Sequence, residues 1–179
     1  MNKTLKFIIA IAVSELAGVI GSVFTLPSIP TWYATLNKPA LNPPSWVFGP
    51  VWTTLYFLMG ISLYLVWSKN WQVSHRMWEG GKRAWNRYSE RLWTGSWQKA
   101  NVIALFAIQL FLNAFWSVLF FGLKVPGFAF FELLALWFAI LYTIINFYRI
   151  SKPAAYLLIP YLLWVSFAGY LNYAVWMMN

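Results

Sequence analysis

At 179 residues, with 61% hydrophobic and 9% charged side chains, the chain is far too apolar for an ordinary soluble domain and belongs in a membrane. Its net charge of +9 is confined to short polar connections, a pattern that reports membrane orientation and argues against nucleic acid as a partner. The absence of cysteine, with one histidine (His75) in a polar segment, excludes disulfides, thiolate chemistry, and any His-ligated metal or Ser–His relay within the bilayer.

After Lys3 and Lys6, the stretch to Leu26 is apolar apart from Ser14, Glu15, Ser22 and Thr25, and predicts a first spanning helix over residues 5–26. A cleaved signal peptide would have a shorter apolar region followed by a small-residue cleavage site. Ala10, Ser14, Gly18 and Ser22 recur every four residues, with Ala17 and Gly21 as a second row, and read as a small-residue packing face. Glu15 near mid-span is expensive in lipid. Its simplest reading is a protonated or hydrogen-bonded structural residue, with a ligand role as the alternative.

From Trp32 to Trp46 the chain is aromatic and proline-rich. Pro39, Pro43 and Pro44 fix their own φ and disfavour helix in the residue before each, so residues 32–44 are expected to be extended and stiff, a lid rooted in the next helix. Residues 47–68 form that second span, free of charge from Val47 to Val66. Residues 70–99 are a basic insertion in which Trp71, Trp78, Trp85 and Leu92 recur every seven positions, as in a helix lying in an anionic interface. The third span covers 101–123, with Gln109, Asn113 and Ser117 spaced by four. A tight turn at Lys124–Gly127 leads to the fourth, 128–148, which carries Glu132, and the fifth covers 154–178. Pro160 is expected to kink that last helix.

The expected fold is therefore all-α, a bundle of five transmembrane helices with a structured loop between the first two, forming one domain over residues 1–179. Eleven of the 13 Lys and Arg fall on one side of such a bundle and two, Lys38 and Lys124, on the other. That places the N-terminus and the 70–99 segment in the cytoplasm, and the lid and C-terminus outside.

Helical spacing puts Trp52 and Tyr56 on one face of the second span, Asn113, Trp116 and Phe120 on one face of the third, and Trp164, Ala168 and Asn172 on one face of the fifth. Their depths agree, so the three faces could enclose a flat-walled aromatic chamber beneath the lid. Such a chamber suits a large planar apolar ligand, stacked on indoles and oriented by a few hydrogen bonds. The alternative is that these aromatics are core packing and interface belts.

The segments WYATLNKP, NPPSW, GPVWTTLY, NAFWSVLFFG and PYLLWVSFAGYLNYAVW, in this order, resemble the TspO/MBR family of tryptophan-rich sensory and translocator proteins. The resemblance implies a five-helix membrane bundle, often a homodimer, with a pocket under the first loop that takes porphyrins and, in some members, cholesterol or benzodiazepine-site drugs. By motif it assigns ligand contacts to Tyr33 and Pro43 of the lid, Phe48, Trp52 and Tyr56 of the second span, Asn113, Trp116 and Phe120 of the third, and Trp164, Ala168 and Asn172 of the fifth. The chain departs from the pattern at Leu41, where many members have Trp. A sterol partner would call for a basic residue following Leu171 and Tyr173, where Met177 and Met178 stand.

The reading that results is a receptor or transport protein for tetrapyrroles of the protoporphyrin IX or haem type, with no cofactor required and no catalytic residue assigned. Propionates would find Lys38 and the region of Asn172. Light-dependent breakdown of the bound porphyrin, with the pocket indoles as electron donors, is the enzymatic alternative. A proton-coupled exporter working through Glu15 is a third.

Overall fold

The structure, a computed structural model, describes residues 2–69 and 95–179, the first five of the second stretch by backbone alone. Almost all of these residues are helical: α1 (Lys3–Ser28), α2 (Trp32–Thr35), α3 (Phe48–Ser68), α4 (Gly95–Ser117), α5 (Pro126–Ile150), α6 (Lys152–Leu157) and α7 (Ile159–Met178). Five stretches are long and apolar enough to cross a bilayer, namely Lys3–Ser28, Ser45–Ser68, Ala100–Gly122, Pro126–Ile150 and Lys152–Met178. The molecule is thus an all-α, multi-pass integral membrane protein. The expected interfacial helix in the basic insertion, and His75 with it, fall outside the described residues except at 95–99, where the backbone already belongs to α4.

Helix boundaries follow from local chemistry. The Asn2 side chain accepts the Thr4 amide at 2.7 Å and caps α1, satisfying one of its free donors. At the other end Pro27 lies in the last turn, and the Thr31 hydroxyl takes up the Pro27 carbonyl at 2.8 Å. Pro160 acts as expected but more sharply. The last span divides at Leu158 into α6 and α7, with Pro160 in the first turn of α7, where a missing N–H is tolerated.

The bundle packs through small residues on α1. Ala10, Ser14, Ala17 and Gly21 are buried, and a Cβ added at Gly60 of α3 would come within 2.8 Å of the Ile11 Cα. Contact that close lets two backbones touch in a solvent where burying apolar groups gives no net drive. The first of the two rows expected to pack divides along its length, with Ala10 and Ser14 buried. Gly18 and Ser22 lie over a cavity instead, with Gly18 opposite the Tyr56 ring.

Two departures shape the lid end. Residues 32–44 are not extended throughout, because Trp32–Thr35 forms a single helical turn closed by the Thr35 hydroxyl on the Trp32 carbonyl at 2.8 Å. The prolines begin only at Pro39 and leave residues 32–35 unconstrained. Extended backbone sets in at Leu36, and a turn follows in which the Asn42 amide donates to the Pro39 carbonyl at 2.9 Å. The second departure is a widened turn after α4. Over Val118–Gly122 the helix opens to i→i+5 bonding, with the Leu123 amide reaching the Val118 carbonyl at 2.7 Å. Lys124 then takes a left-handed conformation, φ 57°, and reverses the chain into α5.

Candidate ligand cavity

The lid is built before the cavity it covers. Tyr33 is buried on α2, and its hydroxyl donates to the Asn42 side chain at 2.7 Å, joining the two arms of the loop. Burial pushes the Tyr33 phenol above its ordinary range and the Asn42 bond pulls it partly back, so it remains a proton donor at neutral pH. Below it Phe120 and Phe121, turned inward by the wide segment, pack with Tyr33, Ala129 and Val175 into a small core separate from that of the main bundle. The Ser28 hydroxyl donates to the Phe121 carbonyl at 2.8 Å and fixes the end of α1 to that segment. The lid is also tied to the last helix. The Asn179 side chain accepts the Asn37 amide at 2.9 Å and donates to the Asn37 carbonyl at 3.1 Å, while Asn37 donates to the Met178 carbonyl at 3.3 Å.

Beneath this lid lies a cavity of about 490 Å³ among α1, α3, α4 and α7, a size suited to a drug-like or cofactor-like molecule. Tyr33, Phe48, Trp52, Tyr56, Asn113, Trp116, Phe120, Trp164, Ala168 and Asn172 all line it. Pro43 does not; it stands half-buried in the loop, its carbonyl accepting the Asn42 side-chain amide at 3.1 Å. The walls are rich in aromatic rings that pack on one another. Trp52 stacks on Tyr56 with centroids 5.6 Å apart, Trp116 stacks on Phe120 at 5.0 Å, and Phe48 meets Trp164 edge-on at 6.2 Å.

The amides that spacing placed in the chamber serve the protein itself. Asn113 accepts the Tyr56 hydroxyl and donates to the Tyr161 hydroxyl at 3.0 Å, joining α3, α4 and α7 through one side chain. Asn172 accepts the Trp116 indole N–H at 3.0 Å and donates to the Pro126 carbonyl at 2.7 Å. Both Asn are buried and both have their side chains engaged, so they hold the walls in place. Lys38 is engaged too. Its ammonium donates to the Leu36 and Ala34 carbonyls at 3.0 and 3.3 Å and lies 4.9 Å from the centre of the Tyr33 ring, so it braces the lid and does not line the cavity.

Two groups in the wall keep bonding capacity in reserve. The Trp164 indole N–H is buried without a partner. The Glu15 carboxylate lines the cavity and forms no hydrogen bond or ion pair among the described residues. Glu15 belongs to a stripe of α1 that also includes Gly18, Ser22 and Thr25, all on the cavity wall, and that continues to Ile29 just beyond the helix. Reading the small residues of this helix only as packing overlooks the stripe, although a charged residue one turn from Gly18 and two from Ser22 is its sequence signal. Several of the bordering residues, among them Val19 and Leu26 on α1 and Trp46 before α3, are also largely exposed on the outer surface, so this side of the cavity reaches the lipid-facing surface of the bundle.

A third set of buried polar groups lies elsewhere. Among the described residues Gln109 and Glu132 find no partner for their side-chain oxygen or nitrogen atoms, and they do not line the cavity. Among the described residues no three His, Cys, Asp or Glu side chains converge as a metal site would require.

Comparison with known proteins agrees with this architecture. The sequence profile of the TspO/MBR family matches residues 10–177. The chain is 40% identical over 175 residues to the "Tryptophan-rich protein TspO" of Archaeoglobus fulgidus, covering 98% of this chain and 97% of that protein. It is also 40% identical over 161 residues to the human "Translocator protein", covering 89% and 82% of the two chains. With the "Tryptophan-rich sensory protein" of Cereibacter sphaeroides it shares 32% identity over 148 residues, 83% of this chain and 77% of the other.

Proposed function

Because the chain belongs to the TspO/MBR family, and is therefore a membrane protein of the receptor or transport type, we propose that it binds tetrapyrroles of the protoporphyrin kind in the aromatic cavity beneath its lid. The observation that carries this reading is the set of walls. Three indoles from three different helices, Trp52, Trp116 and Trp164, border one space of about 490 Å³, an aromatic lining of the kind that takes a flat macrocycle. Neither a histidine nor a cysteine is present in the described walls to act as a strong axial ligand, so the ring is held by stacking whether or not it carries a metal. The propionate edge is not fixed by Lys38 or Asn172, which have other partners.

The same reading places the N-terminus in the cytoplasm and the lid outside, on the strength of the asymmetric Lys and Arg. Titration of the reconstituted protein with protoporphyrin IX is expected to quench tryptophan fluorescence and shift the porphyrin absorption band. Replacing Trp52, Trp116 and Trp164 together by Leu should weaken binding by at least about tenfold, since each stacked ring contributes about 1 kcal/mol or more. Unchanged binding in that variant would place the ligand elsewhere.

A further inference from the structure

We infer that Glu15 is the polar anchor of the cavity, and that it selects flat aromatic ligands presenting a protonated nitrogen or an N–H donor. This inference rests on the reading that the cavity receives a ligand, but not on that ligand being a porphyrin. Glu15 stands on the cavity stripe of α1, is the only acidic residue of that helix, and has no partner for its carboxylate among the described residues. The polar groups around it are engaged elsewhere. The Ser22 hydroxyl donates to the Val19 carbonyl at 2.7 Å and the Thr25 hydroxyl to the Gly21 carbonyl at 3.0 Å. The Tyr56 ring lies against Gly18, one turn along the helix from Glu15, but its hydroxyl donates to Asn113.

Two of the described cations near the ends of the bundle are also occupied. Lys38 is bound within the lid, and Lys6 lies 5.9 Å over the Trp67 ring. A carboxylate kept in a membrane span without a protein partner is costly, and a donor on the ligand would offset that cost. The walls favour the same chemistry, because the faces of Trp52 and Trp164 attract a cation as well as stacking on a ring. The unpartnered Trp164 N–H adds a donor for an acceptor atom on the ligand. For a porphyrin diacid the consequence is orientation: its carboxylates are repelled by Glu15 and turn toward the lid.

The test compares two probes of one shape on the full chain in lipid nanodiscs at neutral pH: 9-aminoacridine, a cation, and anthracene, which is neutral. Tryptophan quenching should show the wild type binding 9-aminoacridine more tightly than anthracene. Glu15→Gln should lose about tenfold to a hundredfold on 9-aminoacridine, the range of a charge-assisted hydrogen bond, with anthracene held within about twofold. Glu15→Asp should recover part of the loss. Equal losses on both probes, or no loss on 9-aminoacridine, would overturn the assignment, since the side chain would then act through cavity shape or not at all. If protoporphyrin IX fails to bind the wild type while the probe ratios hold, the tetrapyrrole reading falls and the Glu15 anchor stands.

Discussion

At the scale of single residues, glycines decide how the walls meet. Gly60 carries no special backbone angle; it is needed because a methyl there would sit 2.8 Å from the Ile11 Cα and 3.1 Å from the Ala10 carbonyl, both backbone atoms that cannot swing aside. Gly60→Ala is therefore expected to lower thermal stability in detergent by an amount equivalent to about 1–3 kcal/mol, as over-packing does. Gly49 lies on the same helix with nothing within 4 Å of its would-be Cβ, so Gly49→Ala should stay within about 0.5 kcal/mol of wild type. Equal effects in the two variants would mean that helix propensity, not the α1–α3 contact, sets the result. Spacing alone distinguishes these glycines poorly. It shows which faces are small but not which ones have a neighbouring backbone against them.

At the scale of elements, one amide joins three helices. Asn113 takes the Tyr56 hydroxyl from α3 and gives to the Tyr161 hydroxyl on α7, so α4 is fastened to both neighbours at one depth. A double-mutant cycle between Asn113→Ala and Tyr161→Phe, read by thermal or chemical unfolding, should give a coupling of about 0.5–2 kcal/mol, the range for hydrogen bonds between membrane helices. Additive effects would show that the bond is not formed. The faces that carry this tie were legible in the sequence, because Asn113 recurs with Trp116 and Phe120 at helical spacing and the spans are long and uncharged. The purpose of the amides was not. Periodicity tells which way Asn113 and Asn172 point, but only the packed partners Tyr161 and Pro126 show that their bonding capacity is used within the protein. The wide turn at Val118–Gly122 was likewise invisible, since no residue type in that run demands i→i+5 bonding.

At the scale of the whole molecule, the orientation proposed from the Lys and Arg distribution assigns the lid and the 70–99 segment to opposite sides of the bilayer. The absence of native cysteine makes this directly testable, because a single introduced thiol is the only one present. Ala34→Cys in the lid and His75→Cys in the insertion should react with a membrane-impermeant maleimide from opposite sides, with the lid labelled in intact cells and the insertion only after lysis. Labelling of both from outside would refute the orientation read from Lys and Arg. The span count followed from composition, and spacing picked out the faces of three helices that border the cavity, whereas the α1 stripe carrying Glu15 needed the packed bundle to separate it from its small-residue neighbours. The bonds between Asn37 and Asn179 fasten the first connection to the residue that caps the last helix. A reporter domain fused directly behind Asn179 would therefore hang from the cover of the binding chamber, and its drag would register as altered ligand release. Quantitative work on exchange kinetics is better served by a tether at the opposite end of the polypeptide.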